Sequence, residues 1–189
     1  MSLFRRRLAI TCQLFFDYKE LDYIESAGNT YIDTGVPVDP NLKFYIKFAD
    51  WQYRHASGLF GSTSWFNSLT YYYGTMVYCL RNKAYRYRCG ENAILSGELT
   101  CTEQGCTGDF EMEQINDSNG GGGNITLFRG GQQIVSKAKV FAFKIWDKDG
   151  VLVRDFIPVQ RKSDDEIGMY DLVNNQFYKS VNDQKFKGK

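Results

Sequence analysis

The sequence has little of what metal sites, nucleic-acid binding and membrane spans require. It contains a single histidine, His55, so a histidine metal cluster is excluded and a Ser-His-Asp triad has only this residue to use. Its 23 Lys and Arg against 22 Asp and Glu leave a net charge of +1, without the basic excess of a nucleic-acid-binding domain. No apolar run reaches the roughly 18 to 20 residues that a membrane-spanning helix needs.

The five cysteines do not form a metal-binding or disulfide pattern. Their number is odd, their spacing is irregular, and no C-x2-C unit of the kind found in zinc sites occurs. We therefore expect reduced, partly buried thiols. The cysteines are Cys12, Cys79, Cys89, Cys101 and Cys106.

Aromatic residues are abundant, with 13 Tyr and 14 Phe, and they favour strands, where flat rings pack well on a pleated surface. Residues 42–48 alternate apolar and polar side chains, which predicts a strand with one buried face. Residues 141–146 and 151–156 flank an Asp-Gly turn, which predicts a hairpin. No segment has a helical period. Further strands are predicted at 29–34, 57–62, 70–80, 84–90, 97–103, 107–115, 124–129, 132–136, 166–171 and 176–180.

The chain is short enough to form one domain. The glycine-rich run 116–124 is read as a hairpin tip rather than a linker, because the roughly 65 residues that follow are few for an independent sandwich. Many short strands with frequent turns predict an all-β, two-sheet antiparallel jelly-roll sandwich. We assign residues 20–189 to this domain and residues 1–19 to an extended N-terminal tail.

The start of the tail is similar in outline to a signal peptide, because three arginines precede the apolar stretch 8–16. Gln13 interrupts that stretch, Asp17 and Lys19 follow it directly, and no small-residue cleavage site appears. We therefore interpret residues 1–19 as a retained tail.

The tail has the composition of an attachment peptide. Successive arginines can form bidentate bonds with carboxylates of a larger protein, while neighbouring apolar side chains fill pockets. The alternative is a disordered basic terminus without a role. The predicted attachment residues are Leu3, Phe4, Arg5, Arg6, Arg7 and Leu8.

Residues 23–35 resemble the opening strands of concanavalin A-like, laminin-G-like jelly-roll domains in virion proteins of gut bacteriophages. Residues 144–147, 152–159, 168–173 and 176–178 resemble the closing hairpin and terminal segment of that family. Residues 1–8 are similar to a short leader shared by structural proteins of these phages, including crAss-like ones.

The resemblance implies a virion protein, made in the host bacterial cytoplasm, that serves as a head fibre, tail fibre or capsid decoration. It implies attachment of the N-terminus to a capsid or tail protein, and a homo-oligomer with a trimer favoured over a dimer. A cell-surface glycan is the further partner that such an adhesive, lectin-like domain implies. We expect no cofactor, metal, nucleic acid or membrane among its partners.

An enzymatic alternative comes from a second resemblance. Glu20, Asp22 and Glu25 fit the E-x-D-x-x-E pattern of laminarinase-type β-glucanases, which share the jelly-roll fold. That resemblance makes Glu20 the nucleophile, Asp22 its helper and Glu25 the acid/base of a glycan-cleaving depolymerase. Here the motif lies at the start of the domain, and three acids within six residues arise easily by chance. We therefore predict a protein that is not an enzyme.

The aromatic candidates for glycan binding are exposed rings beside polar groups, because a sugar can pack its C–H face on a ring while its hydroxyls form hydrogen bonds. Alternation turns about half of such rings into the core. The candidates are Trp51, Trp65, Tyr71 and Tyr73, with Tyr72 beside them.

The remaining charged and polar candidates have simpler interpretations. The basic cluster Arg81, Lys83, Arg86 and Arg88 could meet an anionic glycan or a neighbouring subunit, although a solvated face is favoured. The acidic segments 147–150 and 164–166 lack the ligand spacing of a calcium loop and are read as solvated turns. We place His55 in a surface loop.

Overall fold

The computed structural model describes residues 16–52, 56–62, 66–80, 83–115, 121–131 and 134–189. Two sheets, antiparallel apart from one short pair, form a jelly-roll-like sandwich, so the predicted all-β class is confirmed. None of the described segments forms a helix with the length and hydropathy of a membrane span. The strands are β1 Tyr18–Glu20, β2 Ile24–Ala27, β3 Ile32–Pro37, β4 Lys43–Gln52, β5 Ser57–Gly61, β6 Ser68–Tyr72, β7 Thr75–Cys79, β8 Ala84–Arg88, β9 Ile94–Thr102, β10 Gly105–Gly108, β11 Glu113–Ile115, β12 Asn124–Leu127, β13 Ile134–Val135, β14 Lys137–Trp146, β15 Leu152–Arg161, β16 Ile167–Asp171, β17 Gln176–Tyr178 and β18 Lys187–Gly188.

The first sheet has the strand order β10-β9-β4-β14-β15-β16-β17. In this sheet β1 pairs with β15, β2 pairs with β14, and β18 pairs with β2. The second sheet has the order β11-β8-β7-β6-β5-β12-β3, and β13 runs parallel to β5. The longest described strands, β4, β14 and β15, have ten residues each and lie side by side in the first sheet.

The core lies between the sheets and is rich in phenylalanine. Phe44, Ile46 and Phe48 of β4 face inward and are buried, while Lys43 and Lys47 face solvent, as the alternation predicts. Phe143 of β14 lies with its ring centroid 5.3 Å from that of Phe60 in the second sheet. Contacts of this kind between the inner faces bury the apolar surface that stabilises the fold.

The predicted hairpin of β14 and β15 is confirmed. Asp147 accepts hydrogen bonds from the amides of Asp149 and Val151 through Oδ1, and Gly150 takes a φ of +76°. A short carboxylate that bonds backbone two residues ahead is a common way to form a tight turn. The acidic segment 147–150 is thus a turn, in agreement with its interpretation from the sequence.

The segment 70–80 is two strands rather than one. β6 and β7 form a hairpin whose turn is Tyr73 and Gly74, both with positive φ. Tyrosine rarely occupies a left-handed conformation, so the alternating aromatics concealed the turn. Similarly, the predicted strand 107–115 is divided between β10 of the first sheet and β11 of the second.

The hairpin predicted around the glycine-rich run is wrong. β11, which precedes the run, lies at the edge of the second sheet beside β8. β12, which follows it, lies between β5 and β3. Both strands belong to one sheet but do not pair, because glycine permits a turn without determining which strands meet. Residues 116–120 lie outside the described ranges.

The expectation of reduced cysteines is wrong for one pair. Cys101 and Cys106 lie directly opposite each other on β9 and β10, with Cα atoms 4.1 Å apart, and form a disulfide. The short turn between the strands sets this register, and facing positions of an antiparallel pair bring two sulfurs within bonding range. Cys79 and Cys89 carry thiols, and Cys12 lies outside the described ranges.

The described chain begins and ends on the first sheet. Tyr18 lies opposite Arg161, and the Lys162 amide donates to the carbonyl of Asp17. At the other terminus, the Lys189 carbonyl accepts a hydrogen bond from the Asp22 amide. β1 therefore includes residues 18 and 19, which the sequence had assigned to the tail, because strand pairing extends the folded domain toward the N-terminus.

Candidate binding site

Several predicted functional residues fall outside the described ranges. These are the six attachment residues Leu3 to Leu8, the histidine His55, the ring Trp65 and the basic residue Arg81. The remaining candidates can each be placed on the fold.

Trp51 and Tyr71 are core residues, so the prediction that they bind glycans is wrong. Both are 0% exposed, and their rings meet edge to face with centroids 5.7 Å apart. Trp51 Nε1 donates to Ser136 Oγ at 3.0 Å, and the Tyr71 hydroxyl donates to the Gly90 carbonyl. Alternation along their strands turns both rings into the sandwich, where their polar atoms find partners and a sugar has no access.

Tyr73 is the exposed ring among the described candidates. It is 58% exposed at the tip of the β6–β7 hairpin, and its ring centroid lies 4.4 Å from that of Tyr72. Its φ of +44° belongs to a turn position that asparagine or glycine usually fills, at a cost of roughly 1 kcal/mol for tyrosine. The glycan-binding role of Tyr73 stays a prediction.

The acidic triplet does not lie on one strand. Glu20 ends β1 opposite Val159, whereas Glu25 lies on β2 opposite Lys139 and Lys187. Asp22 lies between these two strands, in a connection whose amide bonds to the C-terminal residue. The glucanase pattern requires its carboxylates to share one strand face, and this chain divides them between two strands with different neighbours.

The tyrosines of the basic cluster's strand pack against the core. In β8, Tyr85 is buried, Arg86 and Tyr87 are half-buried, and Arg88 is exposed. Arg86 Nε forms an ion pair with Glu113 Oε1 at 2.6 Å. This neighbour offsets part of the positive charge that an anionic glycan would need.

The second acidic segment is also a turn. Asp164 forms two hydrogen bonds with the Arg161 guanidinium, which lower the pKa of its carboxyl to about 2. Among the described residues, no three His, Cys, Asp or Glu side chains gather where a metal ion could be held.

The sequence did not point to a cleft at one end of the sandwich. Its volume is about 370 Å³, within the size range of small-molecule sites. It lies between the end of β3, the connection to β4, and the β14–β15 turn. The lining residues are 35–37, 39, 42, 147–149, 153 and 154.

Arg154 lies at the back of this cleft, with its side chain only 15% exposed. Its Nε donates to the Thr34 carbonyl of the second sheet at 3.0 Å, and its Nη1 donates to the Val153 carbonyl at 2.7 Å. Asp171, fully buried, places Oδ2 3.6 Å from Nε, which is an ion pair but too long for a hydrogen bond. The guanidinium is therefore fixed in one orientation.

Comparison with known proteins identifies no relative. No protein-family model, no curated protein and no solved structure matches the chain. The chemistry of the cleft therefore has to be argued from its own residues.

One sequence feature could have pointed to Arg154. It directly follows the apolar residues Leu152 and Val153 at the start of β15, and Asp155 separates it from Phe156. A charged side chain that becomes buried needs a partner, and Asp171 on the neighbouring strand β16 provides it.

Proposed function

We propose that this protein is a non-enzymatic structural protein of a bacteriophage particle, a head fibre or other capsid or tail appendage. The residues that precede β1 attach it to a capsid or tail protein, and the sandwich is displayed for adhesion to the host surface or its glycans. The resemblance of residues 1–8 and 23–35 to virion proteins supports this assignment. A homo-oligomer, with a trimer favoured over a dimer, is part of the same proposal.

The observation that carries the proposal is the position of the cleft relative to the start of β1. Tyr18 lies beside Arg161 at one end of β15, which we call the Tyr18 end. Arg154 lies near the other end of this strand, which we call the cleft end. A strand of ten residues spans about 30 Å. A tail that leaves from the Tyr18 end would hold the cleft away from the attached surface.

The pairing of β1 supports a mechanical role for the start of the domain. β1 is hydrogen-bonded to β15, and the Leu21 amide that follows it donates to the Pro158 carbonyl. Tyr18 also packs against Tyr170 and Phe177, with ring centroids 5.0 and 5.6 Å apart. A pull on the tail would therefore be transmitted directly to the first sheet.

Removing residues 2–12 tests the anchoring. We expect the truncated protein to fold, since it keeps β1, but to be lost from purified particles. The measurement compares the amount of protein in particles with the amount in the infected-cell lysate, together with the thermal midpoint of the isolated protein.

A matched control removes positive charge from the body of the protein. Arg86→Ala with Arg88→Ala should leave incorporation unchanged, because these side chains lie on β8 of the second sheet. Normal incorporation of the truncated protein, or absence of the full-length protein from particles, would contradict the proposal.

A further inference from the structure

Two aspartates of different connections, Asp39 and Asp147, line the cleft. Asp39 uses Oδ1 to accept the Asn41 amide, and Asp147 uses Oδ1 for two amides of its own turn. In the described part of the chain, neither Oδ2 atom has a hydrogen-bond donor. Both carboxylates therefore keep one acceptor available to a ligand.

Gly35 gives access to the donor at the back of the cleft. A Cβ at this position would lie 3.6 Å from Nη2 of Arg154, so the missing side chain leaves that edge of the guanidinium uncovered. Nη2 has no hydrogen-bond acceptor among the described residues. An uncovered donor on a mostly buried side chain can give its hydrogen bond to a ligand hydroxyl.

The charge of the cleft disfavours an anion. Asp39, Asp147 and Asp149 line it against Lys148 and Arg154, and Lys148 is paired with Asp149 at 2.9 Å. Arg154 is itself offset by the buried Asp171. Carboxylates thus outnumber cations, and an anionic ligand would be repelled.

The floor of the cleft is apolar. Val36 and Leu42 are 7% and 3% exposed, and Val153 lies beside them on β15. An apolar floor combined with carboxylate acceptors and one fixed donor matches a sugar ring, whose C–H face is apolar and whose hydroxyls are at the edge.

We infer that the cleft binds one neutral sugar residue of a glycan, with Arg154 Nη2 donating to one hydroxyl and Asp39 and Asp147 accepting from others. This inference rests on the proposed adhesive function and names its ligand class. It also assigns binding to the cleft, whereas Tyr73 lies in the turn of the β6–β7 hairpin in the second sheet.

The test titrates the isolated full-length protein with methyl glycosides of glucose, galactose, mannose and N-acetylglucosamine at millimolar concentration. Two-dimensional amide NMR then records which residues respond. We expect at least one of these sugars to shift amides in 35–42 and 147–154, and glucuronate to bind less tightly than methyl glucoside.

The blocking variant is Gly35→Asn, which places a side chain over Nη2. Asparagine tolerates the φ of +68° at this position. We expect affinity for the bound sugar to fall by about tenfold or more, the effect of losing a hydrogen bond to a charged donor. Gly150→Asn is the matched control, because it has a φ of +76° in the adjacent turn and open space around its Cβ, and it should bind normally.

A second variant avoids any question of folding at Gly35. Asp39→Asn keeps the acceptor for the Asn41 amide but removes a negative charge from the cleft. The difference in affinity between glucuronate and methyl glucoside should therefore become smaller. The inference is overturned if no neutral sugar shifts the cleft amides, if glucuronate binds most tightly, or if Gly35→Asn binds as well as Gly150→Asn. Such a failure leaves particle incorporation intact, so it is distinguishable from failure of the anchoring proposal.

Discussion

The Tyr18 end and the cleft end of the sandwich are stabilised by different interactions. At the Tyr18 end, a half-buried ring packs on two others, and the Arg161–Asp164 pair lies at the surface. At the cleft end, Arg154 and Asp171 form a buried pair that also joins the two sheets through Thr34. Burial amplifies the cost of losing a partner, whereas solvent screens exposed charges. An ion pair should therefore contribute far more to the stability of the protein at the cleft end than at the Tyr18 end.

The largest expected effect follows from Arg154→Met. This change leaves the Asp171 carboxylate buried without its cation, which should lower the free energy of unfolding by about 3 to 5 kcal/mol. Urea denaturation provides the measurement.

The double variant Arg154→Met with Asp171→Asn is the control for this prediction. Asparagine can still accept the Asp155 and Val173 amides through Oδ1, so the double variant should recover much of the lost stability. A single variant that loses less than about 1 kcal/mol would mean that this pair behaves like an exposed one.

An intermediate effect is expected for Tyr18→Ala at the opposite end. Loss of its contacts with Tyr170 and Phe177 should lower the free energy of unfolding by about 1 to 2 kcal/mol, since the ring is only half-buried. Amides of β1 should also exchange with solvent deuterium faster than in the unmodified protein. Tyr18→Phe keeps the ring and should change little. Equal losses for both variants would indicate that the hydroxyl, rather than the ring packing, matters.

The smallest effect belongs to Asp164 and depends on pH. Its pKa falls from 3.8 to about 2 beside Arg161, so the folded state binds this proton less readily than the unfolded chain. The resulting stabilisation is present above pH 3.8 and is lost as the pH falls toward 2. Asp164→Asn should remove this part of the acid sensitivity, so its small loss of stability should be seen near neutral pH and should fade as the pH falls toward 2.

Thermal midpoints of both proteins across this acid range measure the Asp164 effect, and an NMR titration of the carboxyl checks its pKa directly. Identical acid sensitivity of the variant and the unmodified protein would contradict the assignment. A titration midpoint near the ordinary value would do so as well.

Local patterns predicted much of the fold. The alternation in β4 and the Asp-Gly turn between β14 and β15 involve neighbouring residues only, so a reader of the sequence can find them. The β6–β7 turn was not predicted, because Tyr73 occupies a conformation that tyrosine seldom takes. The disulfide was not predicted, because Cys101 and Cys106 face each other only when the pairing register of β9 and β10 is known.

The glycan candidates were harder to predict, because alternation indicates that half of the rings face inward without saying which half. Burial of Trp51 and Tyr71 depends on β4 and β6 lying in opposite sheets, where the two rings meet. The position of the cleft could not be predicted from the sequence for a related reason. Gly35 and Arg154 are distant in the chain, and nothing near either residue indicates the other.

The amino-acid sequence by itself determined the all-β class, the inward face of β4 and the closing hairpin, because alternation and turn chemistry act between residues close in the chain. Only the tertiary structure decided which strands pair, which aromatic rings are buried and where the cleft lies. Those features require strands far apart in the chain to meet, and no short-range pattern encodes that meeting.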